Sequence, residues 1–309
     1  MDRVRISVAM ATYNGEMFLR KQLDSLYAQT LLPFEVVVVD DKSTDGTAAI
    51  LQDYSLRYGL KYYVNEETLG VNRNFEKAIS KCSGDYIIIC DQDDIWFSNK
   101  IEVSLKKLME IGEDKPALVS SQCLHIDAND NIISKSRTIV EGAAYTDTVL
   151  LQGRSQGCTL MFNKKLKDIL LDFPPQKPLY DVYISLVAAC VGIKYNLSEP
   201  LMYYRHHNNN VVAKIVPHRN IKTRINSFKD SLMKVDVIPD ERFTSIQLVL
   251  SQYSTLIIPT VRQLLEQLIK YKMERGLIKR LLILCSIHNL KISSFFKGFI
   301  HSLILQFKK

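Results

Sequence analysis

Short apolar runs alternate with longer amphipathic stretches along the first 126 residues of the chain. The apolar runs are rich in β-branched and aromatic residues, as buried strands are, and they lie at 4–11, 34–40, 61–64, 85–90 and 117–120. The stretches between them have helical spacing and lie at 16–29, 46–58, 71–82 and 98–111. Since parallel strands need crossover connections, this alternation predicts an α/β fold with a mostly parallel sheet and helices on both faces.

A polar cluster follows each of the first four predicted strands, at 12–15, at 40–46, at Asn65 with Gly70, and at 91–94. Each cluster alone is also typical of an ordinary turn, where Asn-Gly and Asp-Gly pairs are common. Ligands of open parallel sheets bind beyond the carboxyl ends of the strands. The four clusters together therefore indicate one ligand site at that edge of the sheet.

The cluster at 91–94 places three carboxylates within four residues, directly behind an apolar run. Carboxylate oxygens suit Mg²⁺ or Mn²⁺, and the phosphate groups of a substrate commonly complete the coordination shell. The chain contains neither a G-x-x-x-x-G-K-[ST] nor a G-x-G-x-x-G motif. We therefore expect a divalent cation to hold a substrate that carries a diphosphate.

Four segments in order, 7–15, 38–47, 70–75 and 91–96, resemble the motifs of the family 2 glycosyltransferases, which are inverting enzymes of GT-A fold. The chain is most similar to the bacterial rhamnosyltransferase-like members. The resemblance covers about 1–215 and implies a GT-A catalytic domain there. Its nucleotide-binding half would be 1–126 and its acceptor half 127–215, and a helical C-terminal extension would follow at 216–309.

The resemblance implies roles for residues of the donor site. Tyr13 matches the residue that flanks the nucleotide base, and Asp41 matches the carboxylate that hydrogen-bonds the pyrimidine ring. Arg73 resembles a basic residue that helps hold the nucleotide sugar. The same motifs add three further residues to those expected to bind the donor, namely Thr12, Asn14 and Gln92.

The resemblance also implies a metal site. Asp91 and Asp93 match the D-x-D element, in which the second aspartate contacts the cation that bridges the diphosphate. The run at 203–210 resembles a Y-R-x-H closing motif, in which Arg205 would meet the diphosphate and His207 would complete the metal shell. His206 departs from that pattern and is assigned no role.

The second half supplies the expected acceptor side. A short strand is predicted at 157–162, resembling the segment that lines the sugar pocket, and an apolar helix opens at 179. Asp181 in the first turn of that helix would favour the helix dipole, which is the structural interpretation. The resemblance assigns it instead as the general base. Tyr180 stands where the family usually has His or Glu, so its contact is left open.

The implied activity is a metal-dependent, inverting sugar transfer from a UDP- or dTDP-linked donor to a hydroxyl of a glycan or of a polyprenyl-diphosphate-linked acceptor. Such a reaction serves bacterial surface polysaccharides such as O-antigen or capsule. dTDP-rhamnose, a UDP-hexose and a UDP-N-acetylhexosamine all remain open as donors. The processive Q-x-x-R-W motif is missing, which favours the addition of one or very few sugars. The alternatives are a catalytically inactive nucleotide-sugar-binding module and a nucleic-acid-binding protein that acts through the basic C-terminal region.

Charge divides the chain unevenly. Residues 1–214 carry 24 Lys and Arg against 27 Asp and Glu, whereas residues 215–309 carry 16 against 6. Aromatic and apolar residues at helical spacing follow position 276. This pattern is compatible with a solvated basic face, with an amphipathic helix on an anionic membrane surface, and with packing in the molecule or a homo-oligomer. Nucleic-acid binding is disfavoured, because the aromatic residues share one stripe.

The expected cellular compartment of the protein follows from features that the sequence lacks. The six cysteines show no C-x-x-C spacing, and the start of the chain has no apolar signal segment. No stretch meets the requirement of about 20 apolar residues for a spanning helix. The sequence therefore predicts a cytoplasmic protein with reduced thiols and no zinc framework, either free or peripheral on the cytoplasmic membrane.

Overall fold

The computed structural model describes residues 4–135, 141–143, 156–170, 173–174, 178–208, 210, 240–274, 279 and 283. Its centre is a ten-stranded mixed sheet in the order β3-β2-β1-β4-β9-β6-β10-β5, with β7 beside β6 and β8 beside β10. The strands are β1 Ile6–Thr12, β2 Glu35–Asp40, β3 Lys61–Val64, β4 Tyr86–Cys90, β5 Ile95–Trp96, β6 Ala117–Ile126, β7 Ile132–Lys135, β8 Gly142–Ala143, β9 Leu160–Asn163 and β10 Ile193–Arg205.

Register brings the ends of the first four strands to one edge. β1 pairs in parallel with β2 and β4, and β2 pairs in parallel with β3. Thr12 lies opposite Asp40, and Asp40 lies opposite Val64. Every residue of β2 and β4 is buried, because helices cover both faces of the sheet. Burial on both faces explains why the sequence of each strand is a nearly continuous apolar run. The polar clusters at 12–15, 40–46, 65–70 and 91–94 therefore leave the sheet side by side.

Eight helices are described, and they cover both faces of the sheet. One core contains the buried side chains of α1, α2 and α4, and the opposite core contains those of α3, α5, α6, α7 and α8. Successive residues of β1, such as Val8 and Ala9, belong to opposite cores, because successive side chains of a strand point to opposite faces of the sheet. The helices are α1 Leu19–Tyr27, α2 Thr47–Tyr58, α3 Val71–Lys81, α4 Lys100–Ile111, α5 Lys164–Ile169, α6 Tyr180–Val191, α7 Asp240–Gln252 and α8 Pro259–Met273.

The predicted α/β class, with helices on both faces of the sheet, is confirmed. The sheet is mixed: β1–β4 pair in parallel, as do β6 and β10, and the other strand pairs are antiparallel. The predicted strand at 157–162 is corrected in part, because 157–159 form a single 3₁₀ turn and only Leu160–Asn163 is extended. The Thr159 amide and hydroxyl both donate to the Gln156 carbonyl, which closes that turn. β9 also runs antiparallel to β4 and β6, an insertion that the alternation of the first 126 residues does not predict.

Helices α7 and α8 pack against α6. The hydroxyls of Tyr183 and Tyr253 lie 2.8 Å apart, and the Ile258 amide donates to the Cys190 carbonyl at 3.0 Å. Leu265 in α8 is fully buried in the same core as α6. The boundary at 215 stays a prediction, but this part of the 216–309 region shares its core with the sheet. The aromatic stripe beyond 283 lies outside the described residues.

Across the described part of the chain, no helix is both long enough and apolar enough to cross a membrane. The five described cysteines are all buried, and no disulfide joins any two of them; they are Cys82, Cys90, Cys123, Cys158 and Cys190.

Replacing Leu265 by Ala tests the packing of α8. Because the side chain is fully buried, the loss of its contacts and the cavity left behind should lower the free energy of unfolding by about 2–5 kcal/mol. Leu256→Ala is the matched control, because Leu256 is 49% exposed and its truncation should change stability by about 0.5 kcal/mol or less. Urea denaturation followed by circular dichroism measures both, and equal losses would contradict the packing.

Candidate active site

The loops after β1 and β2 are joined by hydrogen bonds. The Thr12 hydroxyl donates to Asp40 at 2.8 Å, and both groups are almost fully buried. Asn14 adopts a left-handed conformation, with φ of 49°, which Asn tolerates better than most residues. Its amide donates to the Ser43 hydroxyl, and its side-chain oxygen accepts from the Thr44 amide. Thr12 and Asn14 therefore build the floor of the site through contacts within the protein.

Gln92 fixes the first loop to the acidic segment. Its side-chain amide donates to the Tyr13 carbonyl at 3.0 Å and accepts from the Tyr13 amide at 2.8 Å. A Cβ atom on Gly15 would lie 2.4 Å from the Gln92 oxygen, so a larger residue at position 15 would displace the Gln92 side chain from this pair. The Tyr13 side chain itself is 51% exposed. The backbone is thus held firmly while the aromatic ring faces solvent.

Asp41 organises the loop that follows β3. Its carboxylate accepts from the Asn65 side chain at 2.8 Å and from the backbone amides of Leu69 and Gly70 at 2.7 and 2.9 Å. Gly70 has a φ of 82°, a conformation that favours glycine. A cavity of about 630 Å³ adjoins this loop, which is in the size range of small-molecule sites; its lining residues are Val64, Asn65, Glu66, Glu67, Leu69 and Lys77.

Arg73 lies in the first turn of α3, directly after this loop. Its guanidinium pairs with Glu76 one helical turn later, and its side chain is 39% exposed. A partly exposed, surface-type ion pair is weak, so Glu76 leaves Arg73 able to exchange partners.

The acidic segment brings Asp91 and Asp94 together with Cys158, and one ligand atom from each lies within 4.8 Å of the others. Asp94 is fully buried; its Oδ1 accepts from the Arg205 amide, and its Oδ2 has no hydrogen-bond partner among the described residues. Burial, followed by the charge of Asp93, raises the pKa of Asp91 to about 7. The same causes hold the pKa of Asp94 well above its ordinary value. The segment is therefore electrostatically strained when fully ionised.

Asp93 faces the chain that leaves β10. Its Oδ2 lies 2.7 Å from Nε2 of His207 and also accepts from the Asn210 side chain at 3.4 Å. The His207 ring packs against Phe18 with ring centroids 4.9 Å apart. The structure thus brings Asp93 and His207 into direct contact, although 114 positions separate them in sequence.

Arg205 lies in the protein interior and is fully buried. Its Nε donates to the Asp93 carbonyl at 2.8 Å, and its Nη1 pairs with Asp130 at 2.5 Å. Among the described residues, its Nη2 has no partner and no exposed surface. The guanidinium that was expected to meet a diphosphate is therefore directed into the protein in this structure.

Asp181 is the second residue of α6 and lies near Gly157 of the 3₁₀ turn. Its Oδ1 accepts from the Val182 amide at 2.8 Å, and burial raises the pKa of its carboxyl to about 6. Asp181 also contributes to the raised pKa of Asp91, so the two carboxylates share one electrostatic environment. At neutral pH, Asp181 is largely ionised and can accept a proton.

Tyr180 and Asn72 are functional-site residues that the motifs do not identify. The Tyr180 hydroxyl donates to Asp91 at 3.0 Å, and its ring stacks on Phe75 with centroids 4.0 Å apart. A Cβ atom on Gly157 would overlap the Tyr180 hydroxyl, at 1.9 Å, so glycine is required there. Asn72 accepts from the Tyr180 amide and donates to the Pro178 carbonyl. In the sequence, the indication of a role for Tyr180 was its position directly before Asp181.

His206 joins a separate polar group on the β6 side. Its Nε2 lies 2.7 Å from Nδ1 of His125, and Nε2 of His125 lies 3.9 Å from the Cys123 thiol. These distances use opposite nitrogens of His125, so the three side chains do not converge on one point. His206 therefore lies outside the acidic site.

A divalent cation fits the acidic segment on its chemistry. Asp91 and Asp94 offer carboxylate oxygens that lie close to each other and to the Cys158 thiol, and Asp93 with His207 forms a separate contact in the same segment. Carboxylate oxygens and imidazole nitrogens are ligands that Mg²⁺ and Mn²⁺ accept. The unpartnered oxygen of Asp94 and the raised pKa of Asp91 are the features that a nearby positive charge relieves.

Sequence comparison finds a match between residues 7–170, just over half of the chain, and the family described as glycosyl transferase family 2. The dTDP-rhamnosyl transferase RfbG of Shigella flexneri is 24% identical over 262 residues, which cover 77% of this chain and 88% of that protein. Uncharacterized proteins of Mycobacterium tuberculosis are 36% identical over 94 residues, and the chain spans only 27% of their length.

Structural comparison gives the same fold. Residues 1–349 of TarS from S. aureus, in complex with UDP-GlcNAc, match with a TM-score of 0.62 and 18% identity. The match covers 95% of this chain and 78% of that chain. At this identity the likeness shows the architecture alone, and it extends across the sheet described above.

Asp91→Asn tests the electrostatic strain of the acidic segment. The pKa of Asp91 is about 7 in the folded protein and lower in the unfolded chain, so the folded wild type loses stability as pH rises from about 4 to 7. Asparagine at this position cannot ionise, so the variant does not suffer that loss. The unfolding free energy of the variant relative to wild type should increase by about 1–3 kcal/mol from pH 5 to pH 8.

Asp53→Asn is the matched control, because the pKa of Asp53 is lowered by Arg20. That carboxyl is ionised throughout pH 5–8, so its replacement should add no pH dependence in this range. A pH-independent difference for Asp91→Asn would show that Asp91 is ionised normally in the folded protein.

Proposed function

Because this chain belongs to glycosyl transferase family 2, we propose that it moves a sugar from a nucleoside diphosphate sugar to a hydroxyl group of a glycan or lipid-linked acceptor. The observation that carries the proposal is the convergence of the 91–94 carboxylates with His207 and Asp181 at the carboxyl edge of the sheet. Ligands of such sheets bind at that edge. The arrangement provides a place for the diphosphate and a carboxylate for the acceptor.

The donor would lie across the loops that follow β1, β2 and β3. The exposed ring of Tyr13 is available to stack on a base, and the cavity beside Asp41 is large enough for a nucleoside. Arg73, on the adjoining turn of α3, supplies a positive charge near this cavity. RfbG is named as a dTDP-rhamnosyl transferase, and TarS was crystallised with UDP-GlcNAc, so both dTDP- and UDP-linked donors are proposed.

The diphosphate would be held through a divalent cation. Asp93, His207 and Asp91 are proposed as the residues that bind Mn²⁺ or Mg²⁺, and the Asp94 carboxyl lies buried next to Asp93 in the same segment. When bound, the ion neutralises the negative charge that grows on the departing diphosphate. The chain's own contribution is to hold the carboxylates in place before the donor arrives.

Asp181 is proposed as the general base. Its carboxylate takes the proton of the acceptor hydroxyl while that oxygen forms a bond to the anomeric carbon. The bond between that carbon and the diphosphate breaks in the same displacement, and the nucleoside diphosphate leaves with the electron pair. Attack from the face opposite the leaving group inverts the anomeric configuration. With a pKa of about 6, Asp181 is ionised at neutral pH and is a stronger base than an ordinary aspartate.

The proposed acceptors are glycans, or sugars on a polyprenyl diphosphate, in the synthesis of bacterial surface polysaccharides. RfbG supports the sugar transfer itself, because its name specifies a dTDP-rhamnosyl transfer. Attachment to an anionic membrane through the basic region beyond 276 stays a prediction, since that region lies outside the described residues.

Binding and turnover together test the proposal. Thermal unfolding is followed with UDP- and dTDP-linked sugars, with and without Mn²⁺, and the sugars that stabilise the protein are then offered with glycan acceptors. Stabilisation followed by release of nucleoside diphosphate and an inverted glycoside, identified by NMR, supports the transferase. Stabilisation without release for any acceptor supports an inactive binding module.

Replacing Asp93 by Asn should remove the metal-dependent part of donor binding. In the wild type, UDP with Mn²⁺ should raise the unfolding temperature by several degrees more than UDP alone, because a ligand that binds only the folded state stabilises it. The variant should keep the effect of UDP alone and lose the increment from Mn²⁺. Asp85→Asn, at the opposite end of β4, is the control and should behave as the wild type. An unchanged increment in Asp93→Asn would exclude Asp93 as a ligand.

Asp181→Asn should lower kcat by about 100-fold or more with little change in UDP affinity, because general-base catalysis contributes roughly that much. The wild-type kcat/KM should rise with pH through about 6, as the base loses its proton. Asp168→Asn, an exposed aspartate paired with Lys164, is the control and should retain full activity. Retained activity in Asp181→Asn would require another base.

A further inference from the structure

Arg205 is a buried cation whose Nε and Nη1 are both engaged by the protein. Besides the Asp93 carbonyl, its guanidinium reaches the Asp127 carbonyl at 3.1 Å and the Asp130 carboxylate at 2.5 Å. It also lies over the Phe18 ring, 4.6 Å from the centroid. A buried charge is costly unless it is paired in this way, so these contacts are interdependent.

The main chain of Arg205 holds the same acidic segment from a second direction. Its amide donates to Asp94 Oδ1 at 3.0 Å, and its carbonyl accepts from the Asn210 side chain at 3.0 Å. That Asn210 amide also reaches Asp93 Oδ2. One residue therefore fixes the backbone of Asp93, the carboxylate of Asp94 and a partner of the Asp93 carboxylate.

Asp130 anchors this arrangement to the rest of the fold. It adopts φ of 70° in the turn between β6 and β7, and its second carboxylate oxygen pairs with Lys21 of α1 at 2.5 Å. The Asp127 carboxylate closes the turn by accepting from the amides of Asn129 and Asn131. Arg205 thus connects the acidic segment to a turn that is itself fixed.

We propose that Arg205 is a positioning residue, which holds Asp93 and Asp94 in the arrangement that receives a divalent cation, and that it does not contact the diphosphate. The inference rests on the proposed function, because it assumes that the cation and the diphosphate bind together. Nε and Nη1 are engaged by the protein, and Nη2 has no exposed surface. Turning the guanidinium toward a ligand would leave Asp130 and two backbone carbonyls without their donor.

Calorimetry of UDP binding with and without Mn²⁺ separates the two roles. A positioning residue acts only through the cation, so Arg205→Lys should keep the metal-free affinity for UDP within about twofold of the wild type. The increase in UDP affinity caused by Mn²⁺ should fall at least tenfold, since lysine cannot reproduce the fork of the guanidinium. Uridine, which has no diphosphate, should bind equally to both proteins.

Asp130→Asn is the second variant. Asn tolerates the left-handed backbone at this position, so the fold should persist while Arg205 loses its charge partner. We expect the Mn²⁺ effect on UDP affinity to fall about threefold or more, again with the metal-free affinity unchanged. Arg20→Lys, in an exposed ion pair with Asp53, is the matched control and should bind as the wild type does.

Two results would overturn the inference while the proposed function stands. If Arg205→Lys weakens metal-free UDP binding as strongly as metal-bound binding, Arg205 contacts the diphosphate directly. If both variants keep the full Mn²⁺ effect, Arg205 does not position the ligands. Circular dichroism checks folding, and an unfolded Arg205→Lys leaves the decision to Asp130→Asn. Absence of any Mn²⁺ effect in the wild type would instead overturn the metal-dependent function and this inference together.

Discussion

The mutual repulsion of carboxylates held at one edge of a buried sheet is the constraint on which the site depends. β4 is buried along its whole length, so the residues after Cys90 leave the sheet at a fixed point. Asp91, Asp93 and Asp94 must then share a small and partly dry volume, where burial, followed by the charge of Asp93, raises the pKa of Asp91 and of Asp94. The surrounding contacts, from Tyr180 on one side and from Arg205 on the other, supply hydrogen bonds and one positive charge, which reduce this repulsion without abolishing it.

The first half of the fold could be predicted from the sequence because its strands are short, apolar and separated by helices of crossover length. The antiparallel strand β9 could not, because it pairs with β4 and β6 through hydrogen bonds that leave no periodic signal of their own. The packing of α7 and α8 was equally hidden. Their buried residues alternate with polar ones as on any amphipathic helix, and the sequence does not tell which surface such a helix covers.

The spacing of the motifs located the site, but it could not distinguish residues that are available to a ligand from residues that hydrogen-bond within the protein. Thr12, Gln92 and Arg205 stand in motifs expected to bind a donor, yet their polar atoms are directed to Asp40, to the Tyr13 backbone and to the Asp93 backbone. Tyr180 reaches Asp91 from 89 positions away, a contact that only the folded chain reveals. Which side-chain atoms remain available is therefore decided by the loops together and not by any single motif.

The raised pKa values of Asp91, about 7, and of Asp181, about 6, indicate that the protonation states of these two carboxyls are coupled. The charge of Asp181 contributes to the raised pKa of Asp91, and this interaction is mutual, so ionised Asp91 makes Asp181 the stronger base. Positive charge beside Asp91 acts in the opposite sense and lowers the proton affinity of both groups. In the proposed reaction, Asp181 would therefore accept a proton most readily when the negative charge of the diphosphate offsets that positive charge.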